Sequence, residues 1–167
     1  MTQPASVPAD GNLLVKFVLS IANTSGPLVA EVNAASSVDL SCYLTGTGYA
    51  PSTDEAVIPD PRLCSRQTFE APGRLTEQLM FTYVFNPASP VDDLAYQTLV
   101  YLLNGFIVSR WGIPFETAVV GGSVQKVDVI PVKCGLQIKQ PPEENSVLRT
   151  MQKMFVRGAV KRDVFVL

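Results

Sequence analysis

The sequence predicts a mainly β (α+β) fold, an antiparallel β-sandwich or barrel-like subunit with one flanking α-helix. Apolar and polar residues alternate with the two-residue period of a strand in most of the patterned segments. Only one stretch, about residues 90–103, changes to the 3.6-residue period of a helix. Strands and helices do not alternate regularly along the chain, which disfavours a parallel nucleotide-binding sheet.

The first residues differ in composition from the rest of the chain. Residues 1–12 are polar, small and proline-bearing, which predicts a flexible N-terminal arm. Residues 13–167 are long enough for one hydrophobic core and are predicted to form a single β domain. About seven strands are expected in it. In chain order the candidates cover residues 13–21, 37–44, 63–69, 75–85, 106–111, 124–138 and 149–167, while residues 28–32 suit a short strand or a loop.

Several of these strands are longer than is usual in a small domain. Residues 75–85 alternate throughout and would span about 36 Å at ~3.3 Å per residue. In residues 124–138 the alternation changes phase between Val129 and Ile130, and Pro131 cannot donate a ladder hydrogen bond. A bulge or an edge position is therefore expected there. Strands of this length suit a large barrel or an extended sheet.

The predicted helix, about residues 90–103, has recognisable signals at both ends. Ser89 is a suitable N-cap, and a proline and two acids follow it in the first turn. Asn104 and Gly105 supply residues that tolerate the left-handed conformation in which many helices end. Its apolar side should lie across one sheet as a lid.

A long irregular loop is predicted over residues 45–61. Two glycines, three prolines and three acids occur within these residues, a composition unfavourable to regular structure. Loops of this length inside a compact domain are usually functional or disordered. Two interpretations remain open: a mobile surface loop, or a loop that becomes ordered against a neighbouring subunit.

The composition excludes most catalytic chemistry. The chain has no histidine, which removes Ser-His-Asp and Cys-His catalysis and most transition-metal sites. The Gly46-Thr47-Gly48 sequence precedes no helix and does not suit a phosphate loop. No enzyme activity, cofactor or metal site is predicted. A net charge of −2 gives no general attraction to nucleic acid or anionic membranes, and no membrane span is predicted.

Three cysteines, Cys42, Cys64 and Cys134, are widely spaced and form no CxxC pair. They are expected to be reduced core residues in a protein made in the cytosol.

Charge is distributed unevenly along the sequence. Residues 1–80 hold four bases and eight acids, and residues 81–167 hold nine bases and seven acids. Four bases near the C-terminus share one parity and would lie on one strand face, where they would repel one another; these are Arg149, Lys153, Arg157 and Lys161. Contact with acids of another copy would relieve the repulsion, and a solvated face is the alternative.

The order of elements in residues 75–167 resembles a known family. The features that carry the resemblance are Asn86-Pro87, Asp92, the Leu/Ala-rich helix, Gly105, the strand at residues 107–110, residues 127–132, Cys134-Gly135 and residues 141–145. In this order and spacing they resemble the major tail tube proteins of long-tailed (siphovirus-type) phages of actinobacteria.

The resemblance implies a structural virion protein. It implies hexameric rings in which long strands of each subunit pair with those of the next to form a barrel, and rings that stack into a tail tube. Phage DNA would pass through the lumen without sequence-specific binding. The implied partners are further copies and other tail proteins, such as the tape measure, terminator and tail tip. The protein would be made in the host cytoplasm and would function in the phage tail.

The resemblance also suggests three sets of functional residues. The loop would stack on the next ring through Tyr49, Asp54, Glu55 and Asp60. One strand face would point to the lumen or to a neighbouring sheet through Thr76, Gln78, Met80, Thr82 and Val84. The inter-subunit charge contacts would involve Arg149, Lys153, Arg157 and Lys161.

Two other functions fit the same observations. A tail terminator or head–tail connector also forms hexameric rings of mixed α/β subunits but does not elongate. A small-molecule-binding β-barrel closed by the helix belongs to a different class, and a ligand retained by a purified monomer would indicate it.

Overall fold

In the computed structural model, which describes residues 2–167, eight antiparallel strands form one sheet. The strands are β1 (Leu13–Val18), β2 (Val38–Asp39), β3 (Leu44–Asp60), β4 (Phe69–Val84), β5 (Asn104–Trp111), β6 (Lys126–Lys139), β7 (Arg149–Val156) and β8 (Lys161–Phe165). Two short helices, α1 (Val29–Val32) and α2 (Leu94–Thr98), complete the regular structure. The expected mainly β, antiparallel, barrel-like fold is confirmed.

The sheet curls into a half-barrel. Its strand order is β2-β1-β5-β6-β7-β4-β3, with β8 paired beside β6. β3 and β5 are far apart in that order, yet Tyr49 Oη on β3 donates a hydrogen bond to Ser109 Oγ on β5 at 3.0 Å. Only a curled sheet brings these two strands within hydrogen-bonding distance.

The inside of the curl holds the main hydrophobic core, which α2 and the following residues cover. Its buried members are Val15, Phe17, Leu40, Leu79, Phe81, Tyr83, Ala95, Leu99, Ile107, Ile130, Val132, Cys134 and Met154. Residue types with high strand propensity or large apolar area dominate it, as expected where burial drives folding.

A second core lies on the outer side of β1, β5 and β6, beneath α1 and the C-terminus. Its buried members are Leu14, Val18, Ile21, Val32, Val108, Val119, Val127, Val129 and Val166. These three strands are therefore buried on both faces, which explains why their sequences are apolar at consecutive positions.

The predicted helix is much shorter than expected. Asp93, not Ser89, precedes the first helical residue, and α2 ends at Thr98. The left-handed residue is Leu102, with φ 68°, whereas Asn104 and Gly105 begin β5. Main-chain hydrogen bonds to β6 cause this change, because Leu102 N–H donates to Cys134 O and Cys134 N–H donates to Leu103 O.

A second helix, α1, was not predicted. Only four residues form it, at a position where the sequence suited a short strand or a loop. The carboxylate of Glu31 accepts the N–H groups of Leu28 and Ala22 at 2.9 and 2.8 Å and so holds this turn together. The expectation of one flanking helix was therefore wrong.

The long loop predicted at residues 45–61 is also wrong, because this segment forms most of β3. β3 is the last strand of the sheet and pairs only with β4. An edge strand tolerates prolines because N–H groups on its open side need no ladder partner. Pro51 and Pro59 accordingly lie within the β3–β4 pairing, opposite Leu79 and Glu70.

Two other predicted strands change. Residues 61–68 form the turn between β3 and β4, so the strand expected at residues 63–69 is absent apart from Phe69. The strand expected at residues 37–44 is reduced to β2 and the start of β3, because residues 41–43 form a turn.

The remaining strand predictions are confirmed in position, and residues 75–85 lie within the longer β4. In β6, Val129 and Ile130 are both buried and a register shift lies between Val127 and Val129. Pro131 lies between the part of β6 that pairs with β8 and the part that pairs with β7. Val129 belongs to the second core and Ile130 to the main core, and the pairing of β6 with β5 is regular from Asp128 to Lys133. The change of phase therefore reflects burial on both faces of β6, and the bulge predicted between Val129 and Ile130 was wrong.

Residues 2–12 form no helix or strand, and nearly all are exposed; Met1 lies outside the described residues. Of the cysteines, only Cys134 is buried, and burial raises its pKa to about 11. Cys42 and Cys64 are exposed, so the expectation that all three lie in the core was wrong.

Gly105 generates the first testable prediction. A Cβ atom at this position would lie 2.4 Å from Phe17 Cζ and 3.0 Å from the carbonyl oxygen of Val18. Phe17 is fully buried and has no room to move. The substitution Gly105→Ala should therefore lower the free energy of unfolding by about 1–3 kcal/mol, measured by chemical denaturation.

The matched control is Gly46→Ala, because no atom lies within 4 Å of a Cβ built on Gly46. This control should change stability by less than about 1 kcal/mol. Equal effects of the two substitutions would show that close packing at Gly105 is not the cause.

Candidate assembly surfaces

The outer half of the β3–β4 hairpin, residues 54–75, projects from the body and is called the arm here. Its ladder runs from the pair Asp54 and Thr76 to the pair Asp60 and Phe69, with one register shift after Glu55. None of residues 54–75 is buried. The arm is therefore regular structure that gains nothing from the core of its own chain.

Large apolar side chains are exposed along the arm. They are Val57, Ile58, Leu63, Phe69 and Leu75, and Leu63 at the tip is as exposed as in an extended chain. An isolated two-stranded hairpin is marginally stable in water, and an exposed edge strand tends to pair with another chain. These features indicate an arm that becomes covered in an assembly.

An ion pair, called the clasp here, fixes the base of the arm. Arg162 on β8 donates from Nη2 to both carboxylate oxygens of Glu77 on β4, at 2.7 and 2.8 Å. The hydroxyl of Thr53 on β3 donates to the same carboxylate at 2.8 Å. The clasp therefore links both strands of the hairpin to β8, which pairs with β6.

The clasp perturbs the titration of its members. Burial pushes the pKa of Glu77 upward, but the hydrogen bonds from Arg162 and Thr53 outweigh it, and the pKa lies below its ordinary value. The hydrogen bond to Glu77 raises the pKa of Arg162. The carboxylate is largely covered, with a side-chain exposure of 16%, whereas Arg162 is 53% exposed.

Asp128 on β6 supports the neighbouring structure. One of its carboxylate oxygens accepts the indole N–H of Trp111 at 3.1 Å, and the other accepts the main-chain N–H of Asp163 at 2.9 Å. The carboxylate thus joins β5 to β8 beside the clasp. The ring of Trp111 in turn packs against Tyr49, with ring centres 5.7 Å apart.

Four strands, β3, β4, β7 and the C-terminal half of β6, form a continuous sheet with two open edges. β3 pairs only with β4. On β6, the pairing with β5 ends at Lys133, and main-chain bonds to residues 102–103 extend only to Cys134. Within the described residues, positions 136–139 therefore have a strand partner, β7, on one side only.

The outer face of this four-stranded sheet, called the outer face here, points away from the main core. On β4, Leu79, Phe81 and Tyr83 point inward and are buried, and the alternate residues point outward. Two of these outward residues of β4 have basic partners on β7: Met80 pairs with Lys153, and Val84 pairs with Arg149. The outer face is thus half-exposed and carries basic residues between apolar and polar ones.

A comparison with protein families matches the whole chain, residues 1–167, to the family described as phage tail tube protein. The chain belongs to this family. The resemblance that the sequence suggested is therefore confirmed for the tail tube family, and the chain is a structural component of a phage tail.

Two solved structures resemble this tail tube protein. A chain of the anti-feeding prophage (AFP) baseplate, a six-fold symmetrised cryo-EM structure, is 12% identical with a TM-score of 0.54, and 96% of each chain is covered. The crystal structure of an Hcp protein is 15% identical with a TM-score of 0.38, covering 92% of this chain and 99% of that one. A comparison with curated sequences finds no match.

The first set of predicted site residues is divided by the structure. Asp54, Glu55 and Asp60 lie on the arm, where they are exposed or partly exposed. Tyr49 does not project with them, because its ring packs against Phe81 and Trp111 at the base of β3. Burial raises the pKa of Tyr49, as expected for a phenol held inside the curl.

The second and third sets meet on one surface. Gln78, Met80, Thr82 and Val84 share the outer face, and Thr76 continues it at the base of the arm. Arg149 and Lys153 of the third set lie on the same face, on β7. Arg157 and Lys161 do not, because β7 ends at Val156 and a turn precedes β8. The expectation that four bases share one strand face was therefore wrong for these two.

Sequence reasoning missed the clasp and a buried arginine. Glu77 and Arg162 are 85 residues apart, and no local pattern links them. Arg110 is fully buried and donates to Gln125 Oε1 at 3.0 Å and to the carbonyl oxygens of Pro114 and Ala118 at 2.8 and 3.3 Å. These hydrogen bonds hold residues 113–125 over the second core. Burial lowers the pKa of Arg110.

The described residues, 2–167, contain no cluster of three potential metal ligands. They also contain no helix that is long and apolar enough to cross a membrane.

The clasp generates the second testable prediction. Because the pKa of Glu77 is depressed in the folded state, its contribution is complete above the ordinary glutamate pKa of about 4.3 and is lost as the pH falls through the folded value. Glu77→Gln should lower the free energy of unfolding by about 1 kcal/mol at pH 7, since Arg162 is half-exposed. The difference from the unsubstituted protein should be smaller at pH 3 than at pH 7.

Denaturation followed by fluorescence of Trp111, the one tryptophan in the sequence, measures both values. Glu144→Gln is the matched control, because Glu144 is exposed and takes part in no ion pair of the described residues. A destabilisation that is the same at both pH values would rule out an electrostatic role for the clasp.

Proposed function

We propose that this tail tube protein forms hexameric rings that stack into the tube through which phage DNA passes. One observation carries the proposal: a four-stranded sheet with two open edges bears an arm in which no residue is buried. A monomer leaves these groups without partners, and a ring of identical subunits supplies them.

Ring closure would join unlike edges. The open side of β3 in one copy would pair with residues 136–139 of β6 in the next, so that each ring becomes a continuous barrel. Such a head-to-tail contact is heterologous and closes when the rotation between copies fits a whole number of subunits. The similarity to a chain of the six-fold symmetrised AFP baseplate supports six copies.

The outer face would line the lumen in such a barrel. Its basic members, Lys153 and Arg149, lie on β7. They stand opposite Met80 and Val84 of β4, and Thr82 lies between those two residues along β4. Arg149 is neutralised in part by an ion pair with Glu143. Scattered charges on flexible side chains can attract phosphates without reading bases, which suits a conduit that does not bind specific sequences. Arg157 and Lys161, in and after the turn that follows β7, would contact acids of the adjoining copy.

Stacking between rings would use the arm. Asp54, Glu55 and Asp60 would make the polar contacts and the exposed apolar side chains would supply buried area. Tyr49 would support the arm from its base.

The tube would contact other tail proteins. The tape measure would lie inside it, and the terminator and the tail tip would lie at its ends. The protein would be made in the cytoplasm of its host and would act in the virion without catalysis or a cofactor. The resemblance of residues 75–167 points to a long-tailed phage of an actinobacterial host.

Removal of the arm generates the third testable prediction. Joining Asp54 to Thr76 through Asn-Gly replaces residues 55–75, all of the arm except Asp54, by a two-residue hairpin turn and preserves the clasp. Because no residue of the arm is buried, the shortened chain should fold with the far-ultraviolet spectrum of a β protein and a similar melting temperature. It should form no tubes that are visible by negative-stain electron microscopy. It should sediment as single subunits or single rings.

Glu144→Gln, outside the arm, serves as the control and should form tubes as the unsubstituted protein does. Long tubes formed by the shortened chain would refute the stacking role of the arm.

A further inference from the structure

An apolar groove lies between the N-terminal segment and the start of β3, on the body of the protein. Its volume is about 550 Å³. Its floor includes Leu13, Leu44, Tyr49 and Trp111, and Trp111 is 53% exposed although it is the largest side chain of the protein. A floor of this kind is costly to leave in contact with water.

A second, shallower groove continues the first, and Cys42 and Phe115 line both. Among the described residues that line the two grooves, Asp10 and Asp39 are the only charged ones. No lysine or arginine lines either of them. The combined groove thus offers an apolar floor with two acids.

The tip of the arm, residues 61–68, has the complementary character. It carries the fully exposed Leu63 between two bases, Arg62 and Arg66. Arg62 pairs with Asp60 of its own arm at 2.8 Å, whereas Arg66 takes part in none of the ion pairs of the described residues. The tip therefore presents an apolar knob beside an available cation.

The tip cannot enter the groove of its own chain. Tyr49, at the groove, and Asp60, at the start of the tip, are the ends of one strand that remains paired with β4. They are eleven steps apart along the strand, which corresponds to about 36 Å at ~3.3 Å per residue. A compact chain of this length has a radius of gyration of only about 15 Å, so the tip reaches beyond its own body.

We propose that the tip of the arm docks in the groove of a neighbouring copy, with Leu63 on the apolar floor and Arg66 facing the acids of the groove. This inference rests on the proposed stacking of copies and names the surface that receives the arm. The contact is heterologous, because the tip and the groove are different parts of the same chain. Each copy then donates one tip and accepts one.

The sequence places one cysteine on each side of this contact, which makes the fourth prediction testable without inserting a residue. Cys64 lies in the tip and Cys42 lines the groove, and both are exposed. Cys134 is buried with a raised pKa and should not react. A short bis-maleimide added to assembled protein should therefore join Cys64 of one copy to Cys42 of the next.

The expected product on a denaturing gel is a ladder of covalent multimers that extends beyond the dimer. Cys42→Ala and Cys64→Ala should each abolish the ladder, since every link needs both thiols. Leu63→Ser should slow ladder formation roughly tenfold or more, because it removes the apolar side chain that would be buried. Val124→Ser is the matched control, since Val124 is exposed outside the grooves, and it should leave the ladder unchanged.

The failures of the two proposals are distinguishable. Tubes that yield no link between Cys42 and Cys64 would overturn the docking and leave the tube function intact. Dimers that persist in Cys42→Ala would show tip-to-tip contact, and an unaffected ladder in Leu63→Ser would show that the knob is not buried; either result overturns the docking. A protein that stays monomeric at every concentration would overturn both proposals.

Discussion

The β3–β4 hairpin is longer than the core of its own chain can cover, and the rest of the structure responds to that constraint. Near the body, Leu79 and Phe81 of β4 are fully buried, and Tyr49 of β3 packs inside the curl. Beyond Thr53 and Glu77 the strands continue as a ladder with one register shift and no buried residue. A hairpin of this kind pivots easily about its base unless something holds it. The clasp supplies that restraint, because it links both strands of the hairpin to β8.

A hydrogen-bond network among Tyr83, Gln137 and Gln152 also restrains the arm, because it fixes the four-stranded sheet from which the arm projects. Gln152 accepts the hydroxyl of Tyr83 at 2.9 Å and donates to the carbonyl oxygens of Leu99 and Gly135 at 2.8 and 2.9 Å. Gln137 donates to the same Tyr83 hydroxyl at 3.0 Å, from the bulged part of β6. A network whose members are satisfied inside a core specifies one arrangement of the strands. The network lies where β6 bulges, leaves β5 and pairs with β7 alone.

The sequence predicted the strands that alternate cleanly and failed where tertiary context decided. β4 and β7 were recognisable because only one face of each meets a core, so the two-residue period is visible. β3 was hidden by glycine and proline, which are unfavourable inside a sheet but acceptable at its open edge. The helix was overestimated because hydrogen bonds between Cys134 and residues 102–103 draw the chain into β5 before the helical pattern ends. The clasp was out of reach, since nothing local relates Glu77 to a base 85 residues later.

The two proposed contacts between copies differ in whether the assembly they build is closed or open-ended. Pairing of β3 with the free part of β6 repeats around an axis and ends when the ring is complete, whereas docking of a tip into a groove repeats along the axis and has no end. A tube needs both properties. Charges on the arm would keep free subunits apart before assembly. Asp54, Glu55 and Arg66 flank its apolar residues and so discourage unspecific pairing of the exposed strand with other chains. Once copies meet, opposite charges on tip and groove mainly select the correct partner and orientation, while the buried apolar area supplies the affinity.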